Sequence, residues 1–237
     1  MNLTIIQLTF RSLLGRKRAL LLIPMPFILI GLTVIGHVAH PNATDWQQPI
    51  IIGLGFSVIV PVLSLIIGSS VIGSEIDDGT IVHILTKPLP RSEIVISKLL
   101  VAAGATGLVN GVMMFVCGWL INGARMAIGL AAGGLVASIC YCALFLALSV
   151  VSRRPVLIGL VYILLWEGLL TNLLTGTRSL SIAQFGVTIA ARIGNQSYFV
   201  PTLSAAVATI MSAVFVVVST YVAIDRLRSL TMAGETS

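Results

Sequence analysis

The hydrophobic residues of this 237-residue chain fall into long runs that short polar segments separate. A helix needs roughly 20 mostly apolar residues to cross the ~30 Å hydrocarbon core of a bilayer. Six runs meet that length and predict six membrane-spanning helices. They cover residues 19–38, 50–73, 94–121, 126–151, 156–174 and 201–224. The even number of spans places both termini on one side of the membrane.

Composition supports this interpretation. Hydrophobic residues make up 57% of the chain and charged residues 9%, and the mean hydropathy is +1.06. Such a chain has too little polar surface to cover a soluble globule. The net charge of +6 comes from short basic clusters between apolar runs, without the basic domain or aromatic-basic stripe of a nucleic-acid-binding protein. We therefore expect an all-α integral membrane protein.

The basic residues also predict the orientation. Lys and Arg near helix ends are retained on the cytoplasmic face. Of the 14 Lys and Arg residues, only Arg125, Arg178 and Arg192 fall on the side opposite the termini. Both termini are therefore predicted in the cytoplasm, in a multi-pass protein of the cell membrane. The first run is too long for the core of a cleaved signal and is interpreted as a retained span, with a kinked or re-entrant start at Pro24 and Pro26.

One polar window interrupts the apolar pattern, at 73–98 between the second and third predicted spans. Its acidic residues precede an apolar turn, which predicts a short amphipathic helix with carboxylates at its N-terminal end, where the helix dipole favours them. Pro88 and Pro90 end that helix, and Ser92 is the candidate N-cap of the next one. The alternative is an ordinary solvated loop. The acidic residues before the apolar turn are Glu75, Asp77 and Asp78, and Glu93 follows the prolines.

Three enzymatic interpretations of this region fail on residue type or spacing. The glycines of 68–73 have the separation of a phosphate-binding loop, but Ser74 and Glu75 stand where Lys and Ser or Thr are required. The acidic pair Asp77-Asp78 resembles the metal cluster of membrane phosphotransferases, which needs further nearby aspartates. His83 has no His or Cys at ligand spacing. We therefore predict no catalytic residue, no metal site and no ATPase site in this chain.

The same window carries a family resemblance. Its pattern is Glu75-x-x-x-Gly79-Thr80, then Leu85-x-Lys87-Pro88-x-x-Arg91, with Lys98 at the head of the third span. This pattern resembles the signature of ABC-2 type permeases, the membrane subunits of bacterial ATP-binding-cassette exporters. The six-span layout, the basic N-terminal segment and the long excursion before the last span are also similar to that family. The likeness covers almost the whole chain, but only this window is specific.

The resemblance implies one transmembrane domain, residues 1–237, that depends on two separate ATPase subunits. ATP and Mg would bind to those subunits and no cofactor to this chain. A second permease subunit, the same chain or a paralogue, would complete the transporter, which would export a lipid-like or amphipathic small molecule. The segment 74–93 would be the coupling helix that docks on the ATPase. Its implied contact residues are Glu75, Asp77, Asp78, Gly79, Thr80, Ile81, Leu85, Lys87, Pro88, Arg91 and Lys98.

Two more amphipathic helices match the resemblance. Residues 1–18 predict an interfacial helix on the cytoplasmic membrane face, with an apolar row opposite a polar one. Its candidate contacts to the ATPase subunit are Phe10, Arg11, Arg16, Lys17 and Arg18. Within 175–200, an outer-surface helix is predicted with its apolar row at Ile182, Phe185, Ile189 and Ile193 beside a polar row at Ser181, Gln184, Thr188 and Arg192. Its alternative is a plain interfacial helix.

Glu167 is the carboxylate that lies deep in a predicted span. It is about 17 Å along the run 156–174 at about 1.5 Å per residue, near the middle of the bilayer. A charge there costs at least about 2.5 to 3.5 kcal/mol, so the side chain is expected to face the bundle interior or to be protonated. Two roles remain open: a substrate or gate contact, or a structural hydrogen bond to Thr171, Asn172 or a neighbouring span.

Small residues recur every four positions and predict close helix packing within one subunit. They are Ala103, Gly107 and Gly111 on the third span and Gly129, Gly133 and Ala137 on the fourth. The cysteines are predicted to be buried thiols; they are Cys117, Cys140 and Cys142. Two other function classes remain as alternatives: an ion-coupled secondary transporter, for which Glu167 alone is thin support, and a membrane-embedded lipid phosphotransferase.

Overall fold

A computed structural model describes residues 24–40, 45–77, 91–152, 154–171, 179–194 and 203–234. Within these ranges the chain is helical and contains no strand, which confirms the predicted all-α class. The helices are α1 (Pro24–Ala39), α2 (Pro49–Ile59), α3 (Val60–Asp77), α4 (Arg91–Val151), α5 (Pro155–Val161), α6 (Tyr162–Leu170), α7 (Ile182–Ile193) and α8 (Ala205–Gly234).

Three described segments are long and apolar enough to cross a membrane by length and composition: Pro49–Val71, Ser92–Val151 and Ala205–Leu227. Shorter apolar helices cover Pro24–Ala39, Pro155–Leu170 and Ile182–Ile193. The length and composition of these helices agree with a membrane protein. The count of six spans and their orientation stay predictions.

Helix α4 is a hairpin rather than one rod. Its 61 residues would extend about 90 Å as a straight helix, roughly three times the hydrocarbon thickness. The helix breaks at Asn122 and Gly123, where Gly123 has φ 74°, a conformation that glycine adopts without steric cost. The two arms, 91–121 and 124–151, fold back on each other.

Polar contacts join the two arms. Asn110 Nδ2 donates to Ser138 Oγ over 2.8 Å, and Thr106 Oγ1 lies 3.0 Å from Cys142 Sγ. A Cβ added to Gly118 would lie 2.6 Å from Ala127 Cα near the turn. The partner moves from residue 142 to 138 to 127 as the position in the first arm moves from 106 to 110 to 118, so the arms are antiparallel.

The two rows of small residues lie at helix contacts inside this chain, as predicted. A Cβ added to Gly107 would meet Leu135 Cδ2 at 3.0 Å, across the hairpin. A Cβ added to Gly129 would meet Ala190 O at 2.6 Å, on α7. Small residues let these helix axes approach closely. The cysteines are also free and buried, as predicted.

Two helices are wound as π-helices, with hydrogen bonds that reach five residues back. Helix α2 begins at Pro49 and passes directly into α3. In α2, Ser57 Oγ donates to Ile52 O over 3.0 Å, a side-chain bond at the same five-residue spacing. Helix α6 continues α5 in the same way. The wider turn changes which residues share a face, and this matters for Glu167.

The C-terminal end of α3 differs from the sequence prediction. Helix α3 continues through Gly73 to Asp77, so Glu75 and Asp77 lie in its last turn and not at the start of a separate short helix. A single glycine costs a helix only about 1 kcal/mol, which the apolar context of this span outweighs. The rest of the predicted coupling segment, 78–90, lies outside the described residues.

Two buried clusters hold the helices together. The first joins α2, the second arm of α4, and α7 and includes Phe56, Leu130 and Phe185. The second joins α3, both arms of α4, and α8 and includes Val71 and Leu146. Helix α4 therefore belongs to both clusters, and α7 packs directly on its second arm.

Candidate functional site

The π-helical turn of α6 brings Tyr162 and Glu167 to the same side of the helix. The two residues are five positions apart, which is the hydrogen-bonding interval of a π-helix. Tyr162 Oη donates to Glu167 Oε1 over 3.4 Å. Glu167 is only 1% exposed, so its carboxylate faces protein and not lipid, as predicted.

The carboxylate of Glu167 lies at the N-terminal end of α7. The backbone N–H of Ile182 donates to Glu167 Oε1 over 3.0 Å, and Ser181 Oγ donates to Oε2. The first N–H groups of a helix have no partner within the helix, and the helix dipole is positive there. These groups therefore favour a carboxyl group at this position.

Ser181 is the N-cap of α7. Its backbone is extended, with φ −85° and ψ 126°, and its Oγ accepts a hydrogen bond from Gln184 N over 3.2 Å. A capping serine uses its hydroxyl oxygen in this way to satisfy a free N–H of the first turn. Because the same hydroxyl donates its proton to Glu167, it connects the carboxylate to the helix backbone.

Tyr141 reaches the same carboxylate from the second arm of α4. Its side chain is 0% exposed, and its hydroxyl interacts electrostatically with Glu167. Within the described structure, Tyr141 Oη nevertheless completes no hydrogen bond of good geometry. We call Glu167, Tyr141, Tyr162, Ser181 and Ile182 the Glu167 cluster.

Stacked aromatic rings position the two tyrosines of the Glu167 cluster. Tyr141 stacks on Phe145 with ring centroids 5.9 Å apart. Phe145 meets Tyr162 edge to face at 6.4 Å. Such aromatic pairs favour defined orientations. The second arm of α4 and α6 are thus packed together immediately beside the carboxylate.

Helix α7 lies antiparallel to the second arm of α4. Gly129 faces Ala190 and Gly194, whereas Gly133 faces Gly186 and Ala190. The N-terminal end of α7 is therefore level with Tyr141, near the middle of the predicted span 126–151. Its C-terminal end lies close to the hairpin turn of α4.

A carboxyl group and a guanidinium group contact the two ends of α7. Glu167 contacts the N-terminal end, while Arg125 Nε donates to Ile193 O over 3.4 Å at the C-terminal end. A carboxylate at the first turn and a guanidinium at the last turn both complement the helix dipole. Both charges come from other helices, so they attach α7 to α6 and to α4.

The burial of α7 differs from the predicted amphipathic surface helix. A helix is present within 175–200, but it is buried nearly all round, with Thr188 of the predicted polar row only 1% exposed. Ile193 of the predicted apolar row is 39% exposed. The second arm of α4, α2 and α8 cover α7 from several directions, which the alternation of residue types alone does not reveal.

Several partners of Glu167 were not identified from the sequence. Thr171 Oγ1 donates to the backbone oxygen of Glu167 over 2.6 Å, and Asn172 lies outside the described residues. Ser181-x-x-Gln184 does carry a signal, because Ser followed three residues later by Gln marks a helix N-terminus. Nothing in the sequence indicates that this N-terminus returns to Glu167.

Lys98 is the predicted coupling residue whose side chain is described. It is 1% exposed, and its Nζ donates to Val71 O over 3.1 Å. Its ammonium group thus lies between α3 and the first arm of α4.

The other predicted contact residues are described in their backbone only or not at all. Glu75 and Asp77 end α3, and Arg91 begins α4. The remaining ones lie outside the described residues: Asp78, Gly79, Thr80, Ile81, Leu85, Lys87, Pro88, Phe10, Arg11, Arg16, Lys17 and Arg18. Their role in contacting an ATPase stays a prediction.

Comparison with known proteins identifies the family. No curated protein matches the sequence significantly. The family model for ABC-2 family transporter proteins matches residues 16–177. That range holds well over half of the chain, and it includes the polar window 73–98 as well as Glu167. The chain therefore belongs to the ABC-2 family of transporter proteins, the membrane components of ABC transporters.

Proposed function

We propose that this chain is the permease subunit of an ABC exporter for an amphipathic small molecule, driven by two ATPase subunits on separate chains. The match to the ABC-2 family over 16–177 is the observation that carries the proposal. A second permease subunit, identical or paralogous, would complete the pathway. The sequence contains no Walker lysine motif, which supports an external source of energy.

At the proposed cytoplasmic end, the ATPase subunits would act on this chain by moving the segment between α3 and α4. The buried hydrogen bond from Lys98 to Val71 O joins the two helices that flank this segment. Hydrogen bonds to a charged group are among the stronger ones inside proteins. A force applied by the ATPase to this segment would therefore move α3 and the first arm of α4 together.

At the other end, the proposed gate is α7. It contacts α6 through Glu167 and the second arm of α4 through Gly129 and Gly133. The two arms of α4 are joined by Asn110 and Ser138. Movement of the hairpin would thus reach α7 directly, and the Glu167 cluster would hold α7 in its closed position.

The substrate is proposed to be amphipathic because of the composition of the interior. The buried residues are mostly aliphatic, aromatic or small, and a few hydroxyl, thiol and amide groups are scattered among them. Pathways lined in this way suit molecules with a large apolar part. A strongly hydrophilic solute would find few hydrogen-bonding partners along such a route.

The proposal is tested by affinity purification of the tagged chain from its native membrane, followed by reconstitution in vesicles. We expect ATPase subunits to co-purify, and transport of amphipathic dyes to require ATP. Glu75→Gln and Arg91→Ala should each reduce transport while the amount of inserted protein stays constant. Transport that is driven by a proton gradient without ATP, or unchanged export by both variants, would contradict the proposed mechanism.

A further inference from the structure

The N-terminal end of α7 has the features of an anion-binding site that a side chain of the same protein occupies. We infer that this site receives the anionic head group of the transported molecule, a carboxylate, in exchange for the carboxylate of Glu167. The inference rests on the proposed transport function and adds the substrate class. It concerns Ser181, Ile182, Tyr141 and Tyr162, which together form the cradle around Glu167.

The first observation is the set of donors at the helix end. Ile182 N and Ser181 Oγ both donate to the Glu167 carboxylate, and α7 is 12 residues long. The N-terminus of such a helix binds anions through its free N–H groups and its dipole. In transporters, helix ends at mid-membrane depth bind the anionic groups of substrates in this way.

The second observation is Tyr141. Its hydroxyl is fully buried and lies beside the carboxylate, yet it completes no hydrogen bond of good geometry. A buried hydroxyl whose hydrogen bond is poorly formed is costly. With Glu167 as occupant, the cradle therefore does not make full use of the Tyr141 donor. A free carboxylate is not tethered to α6 and would be able to turn so that it accepts from Tyr141 as well.

The donors fit a carboxylate better than a phosphate. They address two oxygens: Ser181 donates to Oε2, whereas Ile182 and Tyr162 donate to Oε1. All of these donors are uncharged. A planar group with two oxygens and one charge matches them, whereas a phosphate monoester brings a third oxygen and more negative charge.

The side of α6 opposite the cradle is apolar and exposed. Leu164, Leu165 and Leu169 on α6 are 67%, 51% and 49% exposed. They lie within three residues of Glu167 in sequence, on the opposite side of the helix. This apolar face is turned away from the cradle, so the cradle accounts for the head group alone.

Exchange of the occupant has a consequence for the gate. Glu167 belongs to α6, so its hydrogen bonds to Ser181 and Ile182 join α6 to α7. A free carboxylate in the same position would accept the hydrogen bonds from Ser181 and Ile182 without being covalently attached to α6. Substrate binding would therefore release α7 from α6, which makes opening depend on the presence of cargo.

A quenching experiment tests the inference at the site itself. The chain has three tryptophans, and Trp166 is adjacent to Glu167. In a Trp46→Phe, Trp119→Phe background, the full chain in phosphatidylcholine nanodiscs is titrated with 2-bromododecanoate, whose bromine lies beside its carboxylate. The uncharged analogue 2-bromododecan-1-ol and the phosphate analogue 2-bromododecyl phosphate are titrated in parallel.

We expect Glu167→Ala to bind 2-bromododecanoate about tenfold more tightly than the unmodified cradle, because the internal competitor is gone. Asp225→Ala removes an exposed carboxylate on α8 and is the matched control; it should not change the binding. Adding Tyr141→Phe or Ser181→Ala to Glu167→Ala should abolish most of the gain. If Glu167→Ala fails to fold, Tyr141→Phe alone should still weaken binding of the carboxylate several-fold.

Three results would overturn the inference. Equal quenching by the alcohol would indicate general partitioning of alkyl chains. Tighter binding of the phosphate would refute the carboxylate assignment. Equal affinity of Glu167→Ala and the control would show that the cradle is not an anion site. Because quenching needs no ATPase subunit, each of these results leaves ATP-dependent transport, and hence the proposed function, to be judged separately.

Discussion

Replacement of Gly129 by alanine tests whether α7 packs on α4 as described. An added Cβ would lie 2.6 Å from both Ala190 O and Gly194 N. These are backbone atoms, which cannot rotate away as a side chain can, so the two helices must separate. Gly104, on the other arm of the same hairpin, has no atom within 4 Å of such a Cβ and supplies the matched control.

The expected magnitude follows from two opposing effects. Alanine in a helix is more stable than glycine by about 0.5 to 1 kcal/mol, and both variants share this gain. Overpacking costs about 1 to 3 kcal/mol, and only Gly129→Ala incurs it. The two variants should therefore differ by about 1 to 3 kcal/mol, or roughly 2 to 12 °C in Tm for a chain of this size.

The assay is thermal unfolding of both variants in the same detergent, followed by size-exclusion chromatography of the remaining folded protein. Gly104→Ala should unfold at or slightly above the temperature of the unmodified chain. Gly129→Ala should unfold clearly below it and also transport more slowly, because α7 is displaced. Equal unfolding temperatures for the two variants would refute the described contact between α4 and α7.

Three further predictions concern other parts of the bundle. Lys98→Met keeps the buried volume but loses the bond to Val71 O, so ATP-driven transport should fall while the amount of inserted protein stays constant; unchanged transport would contradict the proposed coupling. Asn110→Leu should change the free energy of unfolding by less than about 1 kcal/mol in denaturant. The variant loses the hydrogen bond to Ser138 but also removes a buried Oδ1 that has no partner in the described structure. A loss above about 2 kcal/mol would contradict this prediction. The three native cysteines are buried and should not react with maleimide in the folded protein. Ser204 is exposed, and if both termini are cytoplasmic, a cysteine introduced by Ser204→Cys should react with a membrane-impermeant maleimide on intact cells.

The sequence predicts the helices of this chain well where the signal is local. Runs of apolar residues indicate the helices, and the small polar interval after residue 121 anticipates the turn at Asn122 and Gly123. The rows of small residues indicate close packing because the geometry of a single helix brings them to one face. The predicted end of α3 was wrong because one glycine does not stop a helix that other interactions support.

The arrangement around Glu167 could not be predicted, because it depends on contacts between distant segments. Spacing placed the carboxylate at mid-membrane depth, and its cost there indicated an interior position. The partners come from three helices, and one pair relies on a π-helical turn in α6. The periodicity of α7 suggested a surface helix. An amphipathic pattern separates polar from apolar faces, but it does not show how many of those faces other helices cover.

These contacts form a continuous path from the segment between α3 and α4 to α7, the proposed gate helix. Lys98 joins α3 to the first arm of α4, Asn110 joins that arm to the second, and the glycines of the second arm fix the position of α7. Tightly packed interfaces shift between discrete arrangements instead of deforming gradually. A small movement of the segment between α3 and α4 would therefore reach α7 as a rigid displacement. The Glu167 cluster opposes this displacement because it joins α7 to α6. An anion that replaces Glu167 in the cluster removes that connection and so makes the displacement of α7 easier.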